Sequence, residues 1–110
     1  MDRMSAAARF VIAVGGAALA LGGTAAAEEI GAAELAVLAG GCANCHGTDG
    51  RLEGGAGPAI AGESASVIEA KLLAFRADET PGATIMPRIA KGFTEDELRA
   101  LAHHFAGIER

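Results

Sequence analysis

Two cysteines three positions apart, followed at once by a histidine, make Cys42-Ala43-Asn44-Cys45-His46 the chemically densest stretch of this chain. A C-x-x-C-H pentad is the attachment signal of c-type haem: one helical turn offers two thiols to the vinyl groups, and the next residue places an imidazole under the iron. Other uses of the same residues are weaker. A disulfide across two intervening residues closes so small a loop that it hardly constrains the unfolded chain. A thioredoxin-like redox pair needs a strand before it, and no β-branched alternating run precedes Cys42. Zinc needs two more ligands, whereas the other histidines, His103 and His104, are adjacent and cannot both reach one ion from a regular helix.

The pentad therefore predicts one haem c held through Cys42 and Cys45, with His46 as an iron ligand. Met86 is the natural second ligand, because the other methionines, Met1 and Met4, lie at the extreme start of the chain. It stands in Thr84-Ile85-Met86-Pro87, and the flanking Pro81 and Pro87 favour an extended loop over a helix. Such a loop can fold over the distal face of the haem and offer a thioether, the usual companion of histidine in electron transfer. A gap-filling core methionine is the plainer alternative, and His103 or His104 is the substitute ligand.

Three helices are expected to position these groups. In the first, Leu35, Leu38, Ala39 and Cys42 follow the i, i+3, i+4, i+7 pattern, so its inward face runs directly into the attachment site, with Gly40 and Gly41 weakening its end. The second begins at Ser64 or Ser66, with Ser66 and Glu69 spaced as a capping box and Ile68, Leu72 and Phe75 along one side, and ends near Arg76 or Ala77. The third opens on a Thr94/Glu97 capping box with acids in its first turn, presents Leu98, Leu101, Ala102 and Phe105 as one stripe, and stops at Gly107. Leu101 and Phe105 are natural partners for Leu35 and Leu38. Between helices lie Gly47 to Gly62 and Thr80 to Gly92, both long for plain loops, as expected if they wrap a ligand.

Composition sets the context. The chain has 110 residues, 51% apolar, with no Trp or Tyr and a formal charge of −5. Much of the apolar weight falls in residues 1–27, where Arg3 and Arg9 precede an apolar stretch from Phe10 to Leu21 and an Ala25-Ala26-Ala27 site. This is the layout of a cleaved secretory signal. Retained, the same segment would anchor the protein to the membrane; cleaved, it leaves residues 28–110 as one domain with no membrane span. Removing Asp2, Arg3 and Arg9 leaves 7 basic and 13 acidic residues, which argues against nucleic acid as a partner. A domain this small needs a staple beyond its side chains, and a haem would supply it.

These features together resemble class I cytochromes c: a helix running into the pentad, a Gly-Pro-x-Ile-x-Gly turn over Gly57 to Gly62, a Met86-Pro87 segment and a closing amphipathic helix. The resemblance spans residues 30–108 and implies an all-α fold wrapped around one covalently attached haem. It also implies that the Pro58 carbonyl accepts the Nδ1 hydrogen of His46. Where relatives commonly carry Leu two residues later, this chain has Ile60. The missing Tyr and Trp leave Arg51, Arg76, Arg88 or Lys91 as substitutes near the haem propionates.

From Phe75 to Phe105 the chain is more narrowly similar to the cytochrome subunit of flavocytochrome c sulfide dehydrogenase and to small periplasmic cytochromes c. The expectation is an exported, periplasmic one-electron carrier that is not an enzyme by itself. Its redox partner is a flavoprotein dehydrogenase if it is a subunit. Alternatively it is a free shuttle toward a terminal oxidase, or an open-site haem sensor if Met86 does not bind.

Overall fold

The computed structural model describes residues 29–52 and 56–110. The expected export segment over residues 1–27 lies outside the described residues. Four helices, and no strand among the described residues, make up the fold: α1 (Ala32–His46), α2 (Ala65–Arg76), α3 (Met86–Ala90) and α4 (Glu95–Ala106), with a short 3-10 turn at Thr48–Gly50. The all-α expectation holds, and α1, α2 and α4 are the three helices foreseen.

The helix α4 is the hub, packing on both α1 and α2. Thr94 Oγ1 accepts from the Glu97 backbone N–H at 3.2 Å, and the Thr94 N–H donates to the Glu97 carboxylate at 2.7 Å, so the capping box forms as the spacing predicts. The predicted stripe is the buried one: Leu98, Leu101, Ala102 and Phe105 all face inward. Leu101, Ala102 and Phe105 join Ala39 of α1 and Ile68 of α2 in a single cluster, with Leu35, Leu38, Cys42, Ile60 and Leu72 packed around it. Alanines at 39 and 102 let the two terminal helices approach closely.

Two local expectations are corrected. The second helix starts at Ala65 behind Ser64, one of the two expected positions, but Ser66 makes no capping box, since Glu69 instead accepts from Arg99 Nε at 3.0 Å across to α4. A tertiary ion pair has taken the carboxylate that a capping box needs. As expected, α1 runs on through the pentad, with Gly40 and Gly41 inside it. Both are exposed, with nothing within 4 Å of an added Cβ, so they cost helix propensity without interrupting a buried face. Finally, Met86 does not sit in an extended loop. It opens the one-turn helix α3, with Pro87 in the first turn, where a missing backbone N–H leaves no intrahelical bond unmade.

Candidate haem site

The helix α1 delivers the chemistry at its last turn. Cys42 and Cys45 are free thiols, half-buried, and Cys42 packs against the core cluster. Burial pushes the Cys42 thiol above its ordinary value, against a smaller opposing pull from a backbone hydrogen bond, so it rests as the neutral thiol. His46 closes the helix with its side chain buried.

The loop that follows folds back beneath that ring. His46 Nδ1 lies 2.6 Å from the Pro58 carbonyl oxygen. A carbonyl can only accept, so Nδ1 carries the proton and Nε2 keeps its lone pair for a ligand. The Pro58 position is itself fixed, because the Gly57 N–H donates to the Cys45 carbonyl at 3.0 Å. A Cβ at Gly57 would fall 2.7 Å from His46 Cε1 and 2.9 Å from Nδ1, so only glycine lets the backbone pass this close to the imidazole. Upstream, the Leu52 N–H donates to the His46 carbonyl at 2.9 Å. The Gly50 carbonyl accepts from both Ile60 at 2.8 Å and Ala61 at 3.0 Å, closing the loop on itself.

Met86 stands on a separate segment. It is half-buried at the start of α3, and α3 packs on α2. The base of its segment is tied shut by Arg76 Nε donating to the Phe93 carbonyl at 3.0 Å and by the Lys91–Asp78 ion pair. Asp78 turns the chain there in a left-handed conformation, φ 57, which a short polar side chain tolerates. Hydrogen bonds thus join Cys45, His46, Gly57 and Pro58 directly, while Met86 is placed by packing and by the closure of its own segment. His103 is exposed on α4, and His104 sets its ring edge-on to Phe105 with centroids 5.0 Å apart.

Of Arg51, Arg76, Arg88 and Lys91, three have protein partners: Arg76 of α2 on the Phe93 carbonyl, Lys91 on the Asp78 carboxylate, and Arg51 on the Glu109 carbonyl at 2.9 Å. Arg88 is exposed. The contact between Gly57 and His46 was invisible to spacing arguments, since it depends on a backbone bond to Cys45 formed only when the loop folds. The glycine immediately before Pro58 was its one trace in the sequence.

These residues fit a haem held covalently. Two unpaired thiols stand one helical turn apart, and the adjacent imidazole has one nitrogen engaged and the other available. When bound, the group supplies an Fe(III)/Fe(II) couple that exchanges one electron at a time.

Comparison with known proteins agrees. The cytochrome c family model matches residues 32–108. The chain is 38% identical over 69 residues to the cytochrome subunit of sulfide dehydrogenase of Chlorobaculum tepidum, covering 63% of this chain and 61% of that protein. It is 35% identical over 69 residues to the thiosulfate dehydrogenase electron acceptor of Stutzerimonas stutzeri, covering 61% of this chain and 32% of that protein. It is 31% identical over 70 residues to cytochrome c-554(548) of Halomonas halodenitrificans, covering 62% of this chain and 84% of that protein. The matched regions thus span less than two thirds of the first two relatives.

Proposed function

The chain belongs to the cytochrome c family and carries one covalent haem c through Cys42 and Cys45, and from that premise we propose that it is a periplasmic one-electron carrier with His46 and Met86 as the iron ligands. The observation that carries the reading is the 2.6 Å contact between His46 Nδ1 and the Pro58 carbonyl, beside a thiol pair one turn long. That bond fixes the tautomer, aims Nε2 and raises the basicity of the ring. Met86 offers a thioether from the opposite segment, and a thioether favours the ferrous state relative to a second imidazole. With His46 and Met86 both holding the group, no ligand would need to leave or rearrange when an electron passes. The protein's part is to hold the site dry and fixed while a partner approaches.

For the partner, we infer a flavoprotein dehydrogenase that oxidises a reduced inorganic sulfur compound, with this chain as its cytochrome subunit. The similarity to a sulfide dehydrogenase cytochrome subunit supports this, and the thiosulfate dehydrogenase acceptor points to the same class of electron source. A free shuttle is the second reading. It is favoured by the relative of which 84% is covered, which is a small cytochrome in its own right.

Absorption spectroscopy of the oxidised holoprotein tests the ligation. The weak far-red sulfur-to-iron band is expected, and Met86→Ala should abolish it and let cyanide or imidazole bind. A spectrum unchanged by Met86→Ala would move the assignment to His103 or His104. Mixing the oxidised protein with the flavoprotein subunit of a sulfide dehydrogenase and adding sulfide separates the partner readings. Rapid haem reduction and a stable complex on gel filtration support the subunit, whereas reduction without a stable complex supports the shuttle.

A further inference from the structure

We propose that Arg51 and Arg110 are positioning residues for the haem histidine, forming a reciprocal clasp that holds the Pro58 carbonyl against His46. Arg51, in the loop, donates from Nε to the Glu109 carbonyl of the C-terminal segment at 2.9 Å. Arg110, in that segment, donates from Nε to the Ala61 carbonyl of the loop at 3.0 Å. The two bonds run in opposite directions between the same two stretches, so neither stretch can slide along the other without breaking one of them.

Ala61 is 2% exposed and also donates its N–H to Gly50, while Gly62 donates to the Phe105 carbonyl at 2.9 Å at the end of α4. A Cβ at Gly62 would lie 2.8 Å from Arg110 Cγ, showing how closely the C-terminal segment covers the loop. Pro58 stands three residues before Ala61. On its other side the Gly57 to Cys45 bond ties it to α1, beside the His46 contact itself. The clasp therefore reinforces the far anchor of the span that carries the acceptor carbonyl, where Ile60 and Ala61 bond to Gly50 and Gly62 to Phe105. Arg51 is braced in turn by Asp49 at 3.3 Å.

The chemical consequence concerns the electron on the iron. A well-placed acceptor at Nδ1–H makes the imidazole a stronger donor and favours the ferric state. Loosening the clasp lets Pro58 drift, weakens that bond and raises the midpoint potential.

The inference rests on His46 ligation, and the experiment separates the two. In the unmodified holoprotein, NMR of the ferric form should show the His46 ring protons strongly shifted by the iron; their absence would overturn the ligand assignment itself. In the Arg51→Ala/Arg110→Ala holoprotein, the shifted ring signals and the far-red band should persist. Exchange of the Nδ1 hydrogen should be about tenfold faster, as expected for one weakened hydrogen bond, and the midpoint potential should move upward. Should thermal stability fall while exchange and potential stay at their original values, the arginines only fasten the C-terminal segment and the proposal fails. The single variants Arg51→Ala and Arg110→Ala each leave one strap in place, and should give smaller changes of the same sign if the double variant does not fold. No change in either single variant overturns the proposal equally.

Discussion

At the scale of single residues, the site depends on what is absent as much as on what is present. Gly57 leaves room for the imidazole, and a methyl group there would press on two atoms of the ring at once. Gly57→Ala is therefore expected to keep covalent haem, because the thiols are untouched, yet to push the ring off the Pro58 carbonyl. Overpacking of this kind costs about 1–3 kcal/mol, readable as a lowered denaturation midpoint of the holoprotein together with a shifted reduction potential. The covalent attachment was legible from sequence, since Cys42, Cys45 and His46 declare their chemistry by spacing alone, and the isolation of Met86 is what makes it the proposed second ligand. The Pro58 contact came only from family resemblance. Nothing local distinguishes its carbonyl from any other; the bond exists because the loop returns to α1.

At the scale of elements, legibility followed how local each determinant is. The helix α4 could be read almost whole, because its capping box, acidic first turn and apolar stripe all lie within its own residues. The helix α2 starts behind Ser64, one of the two expected positions, but the Ser66 capping box fails because Glu69 serves an arginine thirty positions away rather than its own helix terminus. The α3 turn was missed because proline limits a helix interior yet suits a first turn, and sequence alone does not say which position it will occupy. Thr94→Ala should cost the holoprotein about 1 kcal/mol, measured by urea denaturation, with Thr94→Ser retaining most of it. Asp78→Asn removes only a solvent-facing partner of Lys91. Its effect on stability should stay within about 1 kcal/mol and shrink as salt is added. A much larger loss would mean that the closure of the Met86 segment depends on this pair more than its exposure suggests.

At the scale of the whole molecule, one small cluster joins α1, α2 and α4, and its largest members are Ile68, Leu101 and Phe105. So modest a core gives the haem a structural as well as a chemical part, as the sequence suggested from size and composition. Preventing attachment with Cys42→Ala/Cys45→Ala should leave a chain with little helical signal in far-ultraviolet circular dichroism; a native-like spectrum would show that the polypeptide folds unaided. No helix among the described residues is long and apolar enough to cross a membrane, so any lasting membrane attachment would have to come from elsewhere. The position of Cys42 carries one more implication, which concerns time. Its sulfur belongs to the wall on which the closing helix α4 packs, yet that sulfur must first meet a vinyl group. Maturation and closure therefore compete for the same surface, and addition goes most readily on a chain whose C-terminal third is still open. The distance in sequence between the pentad and α4 would then act as a delay: as an exported chain crosses the membrane, the thiols emerge before the helix that will cover them.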